Sequence, residues 1–195
     1  MFGGTRAVLG QRYRFGIYAV AGSLQFDEIT ADFRRYFMIA RPLVLAGRLL
    51  HFGRYGPDAD SNVLSDLFIG YPSLVRGYND GSFSASEQDV FNRLIGSRLA
   101  VANVELRLPL LGALGVIPSP GVPPVELAGF FDAGTAWRDS DKAAFLGGGR
   151  QPVTSAGAAL RVNLFGFAIG EVDFVHPNDR PDKSWYWQFA IQPGF

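Results

Sequence analysis

The chain of 195 residues is long enough for one sizeable core or one barrel, and too short for two ordinary domains. Its 18 basic and 18 acidic residues cancel, so charge points to no nucleic acid or acidic polymer as partner. Absence of cysteine excludes disulfides, thiolate metal sites and a cysteine nucleophile. Aromatics at 14%, with 17 Phe and 24 Gly, suit a β-rich chain with large apolar surfaces and many turns. No run reaches the ~18 apolar residues of a spanning helix, and "MFGGTRAVLG" lacks the segments of a signal peptide. The expectation is a chain that stays inside the cell or a piece of something longer.

In chain order, period-two alternation is the leading signal. "QRYRFGIYA" sets Tyr13, Phe15 and Ile17 against Arg12, Arg14 and Tyr18, and "ITADFRRYF" opposes Ile29, Ala31 and Phe33 to Thr30, Asp32 and Arg34. "PLVLAGRLLHF" alternates less cleanly around Arg48. Residues 56–96 do not alternate and read as one long loop, including "FIGYPSLVRGYNDGSFSASE". Strand character returns in "LAVANVELRLPL", where Ala102, Val104, Leu106 and Leu108 oppose Asn103, Glu105 and Arg107. "VELAGFFDAG" sets Val125, Leu127, Gly129 and Phe131 against Glu126, Ala128, Phe130 and Asp132. "SAGAALRVNL" opposes Leu160 and Val162 to Arg161 and Asn163, and "FAIGEVDFVH" alternates less cleanly around Glu171 and Asp173. Finally "SWYWQFAIQPGF" lines Trp185, Trp187, Phe189, Ile191 and Phe195 on one face. The total is about eight antiparallel strands of roughly 9 to 15 residues, lengths that suit a barrel better than a sandwich.

Periodicity leaves open which face points inward. A soluble barrel or sandwich buries the apolar face; a transmembrane barrel turns it to lipid. The polar face mixes Arg, Asp, Glu and Asn with small residues and carries almost no lysine, which favours a charged network lining a lumen. Glu105, Arg107, Glu126 and Arg161 form that candidate network. Tyr36, Trp137, Trp185 and Phe195 at strand ends suit interfacial girdles. Counted back from a periplasmic C-terminus, the longer connections "HPNDRPDKS", "RDSDKAAFLGGGRQPV" and 56–96 fall outside, with "AGSLQ". "LFGF", "MIARP" and the proline-rich "PLLGALGVIPSPGVPPV" fall inside. Only the last is longer than an inner turn should be.

Residues 74–78, "LVRGY", resemble the VRGF/Y motif in the sixth external loop of the bacterial surface antigen family, the barrel-assembly and polypeptide-transport outer-membrane proteins. "GFFDAGTAW" resembles that family's aspartate-glycine strand, and "SAGAALRVNLFGF" with a last strand ending in Phe195 resembles its final strands. The resemblance implies a sixteen-stranded barrel of the bacterial outer membrane, of which residues 1–195 look like the last eight strands. It also implies non-enzymatic insertion or translocation of client polypeptides through a lateral seam, with no cofactor. Arg76 and Asp132 are then the lock that holds the loop in the lumen, with Val75, Gly77 and Tyr78 completing the motif. Trp187, Phe189 and Phe195 are the C-terminal barrel signal.

Asp132 has the luminal parity, and arginine's planar fork suits a carboxylate; Glu105 and Glu126 face the same way and compete for it. The expected partners are the lipid bilayer, client polypeptides, and either missing strands or a second copy, since free edges in lipid are costly. Closure at eight strands would leave too little lumen for the loop. A membrane anchor or passive pore serving an upstream domain is the alternative. A hydrolase using His51 near Asp58 and Asp60, or His176 near Asn178 and Asp179, is a further one.

Overall fold

The computed structural model describes residues 9–113, 123–164 and 167–193. Eight long strands form one antiparallel sheet in which each strand pairs with the next long strand along the chain. They are β1 (Gly10–Val20), β2 (Phe26–Ala40), β3 (Leu43–Tyr55), β6 (Arg98–Pro109), β7 (Val125–Trp137), β8 (Val153–Leu164), β9 (Ala168–Pro177) and β10 (Tyr186–Pro193). Between β3 and β6 the loop carries a two-stranded ribbon, β4 (Leu67–Phe68) with β5 (Ile95–Gly96), and a short helix α1 (Gln88–Asn92). A second short helix, α2 (Leu110–Ala113), follows β6. The sheet is not closed: β1 and β10 are its two edges. It is the wall of a half-barrel, as the count of about eight strands anticipated.

The registers run without interruption over most of each ladder, for example Asn103 opposite Asp132 and Asp132 opposite Ser155. That continuity fixes the parity of every strand, because successive side chains point to opposite faces. Asp132 is 0% exposed whereas Phe131 is 47% exposed; Gln188 is 3% exposed whereas Phe189 is 73%. The polar face is therefore the concave, buried one, and the apolar face looks outward. Tyr13, Phe15, Leu49, Val104, Leu127, Trp187 and Ile191 all stand on that outer surface. A soluble barrel or sandwich would show the opposite, so this is a transmembrane β-barrel wall.

No helix among the described residues is long and apolar enough to cross a membrane; here strands do the crossing.

The aromatic girdle needs two corrections. Tyr36 has inward parity and is buried, with the Arg107 guanidinium 5.5 Å from its ring. Trp137 faces outward but is covered by His51, stacked at 5.8 Å, and by Phe145, edge-on at 5.5 Å. Trp185 remains half-exposed at the external rim, stacked on Phe174. Phe195 lies outside the described residues.

The 56–96 loop returns over the concave face. Ile69, Val75, Tyr78, Val90 and Leu94 form one apolar cluster with the wall residues Leu99, Val101, Ala136 and Val153. The external half of the concavity is thus an apolar core between loop and wall; the inner half is charged. Gly134 of β7 permits this close approach, since a Cβ there would stand 2.6 Å from the Val75 Cγ2. A turn of 3₁₀ helix at Ala85–Glu87 leads into α1, and the Glu87 carboxylate accepts the Ser84 N–H at 3.0 Å.

Candidate functional site

The tip of the loop, residues 73–78, sits at the boundary between the apolar and charged zones. Arg76 is 3% exposed. Its Nε donates to Asp132 Oδ2 at 2.7 Å and its Nη2 donates to Oδ1 at 2.8 Å, a bidentate fork. The backbone N–H of Arg76 reaches the same Oδ2 at 3.3 Å. Nη1 lies 2.9 Å from Glu105 and donates to Glu171 at 3.3 Å. The guanidinium carbon stands 3.5 Å above the Phe130 ring. One arginine thus meets three carboxylates and an aromatic face from four wall positions, an arrangement that lysine, a point charge with no planar fork, could not match.

The main chain of the tip is held as closely as its side chain. Arg48 of β3, itself paired with Asp32, donates to Ser73 O at 3.0 Å. Asn103 of β6 donates to Leu74 O at 2.7 Å and to Asp132 at 2.8 Å. Gly77 N–H donates to Gln188 Oε1 of β10 at 2.9 Å. Arg180, in the external β9–β10 connection, donates to Gly77 O at 3.1 Å. Gly77 has φ of +90°, a conformation side-chain-bearing residues rarely adopt. Val175 Cγ2 and Pro177 Cβ would in addition sit 3.1 Å and 3.2 Å from any Cβ placed there. Val75 and Tyr78 are fully buried. The Tyr78 hydroxyl donates to Thr154 O at 2.6 Å and accepts from Asp179 N at 3.3 Å.

Toward the inner end, Arg161 joins Glu105 at 2.6 Å, Glu171 at 3.0 Å and Glu126 at 3.2 Å. Arg107 pairs with Glu105 at 2.8 Å and lies 3.9 Å from Glu126. Glu105 is consequently the hub that links Arg76, Arg107 and Arg161. Of the two carboxylates that parity offered as rivals to Asp132, Glu105 shares Arg76, whereas Glu126 is occupied by Arg161 and Arg107. Glu171 was visible in the sequence only as a polar residue in a less cleanly alternating strand, yet it touches both Arg76 and Arg161. Asn103, Gln188 and Arg48 were likewise not singled out; their only signal was inward parity.

In the external connections, Glu87 and Arg180 form a buried pair at 2.8 Å, bidentate through the Nε and Nη2 edge of the guanidinium. Hydrogen bonds from Arg180, assisted by those from Ser84, hold the Glu87 carboxyl down at about 2. The Arg180 guanidinium also stands 4.1 Å over the Phe83 ring. This pair fastens the loop to the β9–β10 connection above the lumen.

Neither histidine hydrogen-bonds an aspartate among the described residues. Both ring nitrogens of His51 are taken, by Leu99 O at 2.8 Å and by the Tyr55 hydroxyl at 2.8 Å. Asp58 accepts instead from Gln25 N, and Asp60 from Asp139 N and the Ser97 hydroxyl. His176 meets Asn178 at 3.2 Å, while Asp179 bonds Arg93, Thr154 and Tyr78. Among the described residues no group of three or more His, Asp or Glu is placed to hold a metal ion.

Of the residues that the family resemblance offers as a C-terminal signal, Trp187 and Phe189 project outward from β10 into the apolar belt. No curated protein matches the chain in a sequence comparison. A family model, the Omp85 superfamily domain, matches residues 4–192, nearly the whole length. With its membrane-facing wall and inward-folded loop, the chain belongs to the Omp85 superfamily, the bacterial surface antigen family of outer-membrane barrels for protein insertion and transport.

Proposed function

We propose that this chain supplies the C-terminal half of an outer-membrane barrel that inserts or translocates client polypeptides, and that Arg76 locks its lumen loop to the wall. The observation that carries the reading is the grip on residues 73–77 by groups from β3, β6, β7 and β10 together. A loop held to the last strand by Gly77 and Gln188 couples its docking to the position of the β10 edge. That edge is the seam. β10 pairs through only eight residues with β9 and ends in Pro193, which has no N–H for a ladder. A client strand added to its free side would satisfy backbone groups that otherwise cost several kcal/mol each in lipid. No step requires a catalytic side chain.

Missing N-terminal strands of the same protein, or a second copy, complete the lumen in this reading. The test is reconstitution of the full-length protein in proteoliposomes with an unfolded outer-membrane client. Arg76→Ala should slow client insertion while leaving the barrel folded. The second reading, a passive pore with the loop as plug, draws on the same filled lumen; it predicts that Arg76→Ala raises ion conductance without changing client insertion. Loss of a hydrolytic activity on His51→Ala or His176→Ala would instead favour an enzyme and sink both.

A further inference from the structure

The outer wall is not evenly covered by large side chains. Two cross-strand rows on its external half are small at β6 and β7: Ala100 and Thr135 beside His51 in one, and Ala102 and Ala133 beside Leu49 in the next. Val104 and Phe131, exposed in the row toward the inner end, close the dip below. Phe145 of the β7–β8 connection overhangs it from outside. The result is a cavity of about 390 Å³, within the size range of ligand clefts, about 300 to 1,000 Å³. Its lining is apolar apart from His51, whose ring nitrogens are bonded to Leu99 O and the Tyr55 hydroxyl, and one other group. Thr135 has outward parity and lines the cavity; it is 1% exposed, and its hydroxyl has no hydrogen-bond partner among the described residues.

We propose that this cavity is a lipid site that holds the carbonyl end of one ester-linked acyl chain of a membrane lipid, with the Thr135 hydroxyl donating to the ester carbonyl. Three observations select that occupant. The cavity opens in the apolar belt that meets the bilayer, so hydrocarbon is its continuous neighbour. A buried hydroxyl without an acceptor is costly and hydrocarbon offers none, whereas the ester is the acceptor a lipid brings. An added polypeptide strand is excluded as occupant because β3, β6 and β7 already use their backbone groups in mutual ladders across this face. Ala102 and Ala133 let the chain lie against the backbone, where dispersion contacts favour it. The inference rests on the wall facing lipid and not on polypeptide transport.

The experiment uses the full-length protein in nanodiscs of phosphatidylcholine bearing a diazirine near the carbonyl end of one acyl chain, in ester-linked and ether-linked forms. After illumination, peptide mass spectrometry should find label concentrated on residues 100–102 and 133–135 relative to the wall around Leu127 and Leu160. Thr135→Val, nearly isosteric, should lower that enrichment about fivefold, as loss of one hydrogen bond of about 1 kcal/mol implies. The ether-linked probe should show the same loss on the unmodified chain and no further loss on Thr135→Val. Ala102→Phe, which fills the floor from the lipid side, should remove the enrichment with strand content unchanged. Uniform labelling around the wall, or equal labelling by ester and ether probes, overturns the proposal and leaves client insertion untouched.

Discussion

Removing the Arg76 guanidinium leaves Asp132 buried with Asn103 as its only remaining side-chain donor among the described residues. Glu105 and Glu171 fare better, because both keep Arg161 and Glu105 also keeps Arg107. The cost of Arg76→Ala to loop docking is therefore set mainly by Asp132, at about 3 to 5 kcal/mol for one orphaned buried charge. Asp132→Ala should cost less, about 2 to 3 kcal/mol, since Arg76 retains Glu105 and Glu171 as partners. In the double variant the orphaned carboxylate is gone, so the sum should fall short of additivity by about 1.5 to 3 kcal/mol. Limited proteolysis within 79–83 under native conditions reports this directly, because cleavage tracks the open population. Each 1.4 kcal/mol corresponds to about tenfold in cleavage rate. Coupling below about 0.5 kcal/mol, the scatter expected of independent sites, would refute the pairing.

Gly134→Ala should expel the loop tip at a cost of about 1 to 3 kcal/mol, because its methyl meets Val75 Cγ2 at 2.6 Å. Adding Val75→Ala should restore docking, and the same proteolysis assay reads both; no rescue would mean the loop does not pack there. Tyr78→Phe removes the bond to Thr154 O and should raise loop cleavage by about 0.5 to 1.5 kcal/mol equivalent. The Glu87 carboxyl is held at about 2, below its ordinary 4.5, so the stability it adds is full above pH about 4.5 and is lost as pH falls toward about 2. Fluorescence or proteolysis across that window should show the external cap loosening on acidification, and Glu87→Gln should flatten the dependence.

The strands were legible because each carries enough alternating residues to bury one face, and the structure places all eight where period two indicated. Which face was inner was not settled by alternation, since the pattern reads the same inside out. What decides it is the burial of ions such as Asp132 and Arg161 beside exposed Phe131 and Leu160. Arg76 and Asp132 were paired by parity together with motif resemblance. The main-chain clamps could not be found that way: Gln188 and Arg180 reach Gly77 across 111 and 103 residues. Nothing local in "YWQFA" or "NDRPD" specifies such a partner. Tyr36 was misassigned for a related reason, because an aromatic near a strand end was weighed by its chemistry and not by its inward parity.

Hydrogen exchange of the Arg76 and Gly77 amides, in the full-length protein in lipid, tests the central claim most directly. These two N–H groups are bonded only if the tip sits against Asp132 and Gln188. Protection comparable to that of the wall amides of β7, lost on Arg76→Ala while the wall stays protected, is the predicted result. Exchange as fast as in the exposed turn at Asp80 and Gly81 would show that the loop does not dwell in the lumen, contradicting the account.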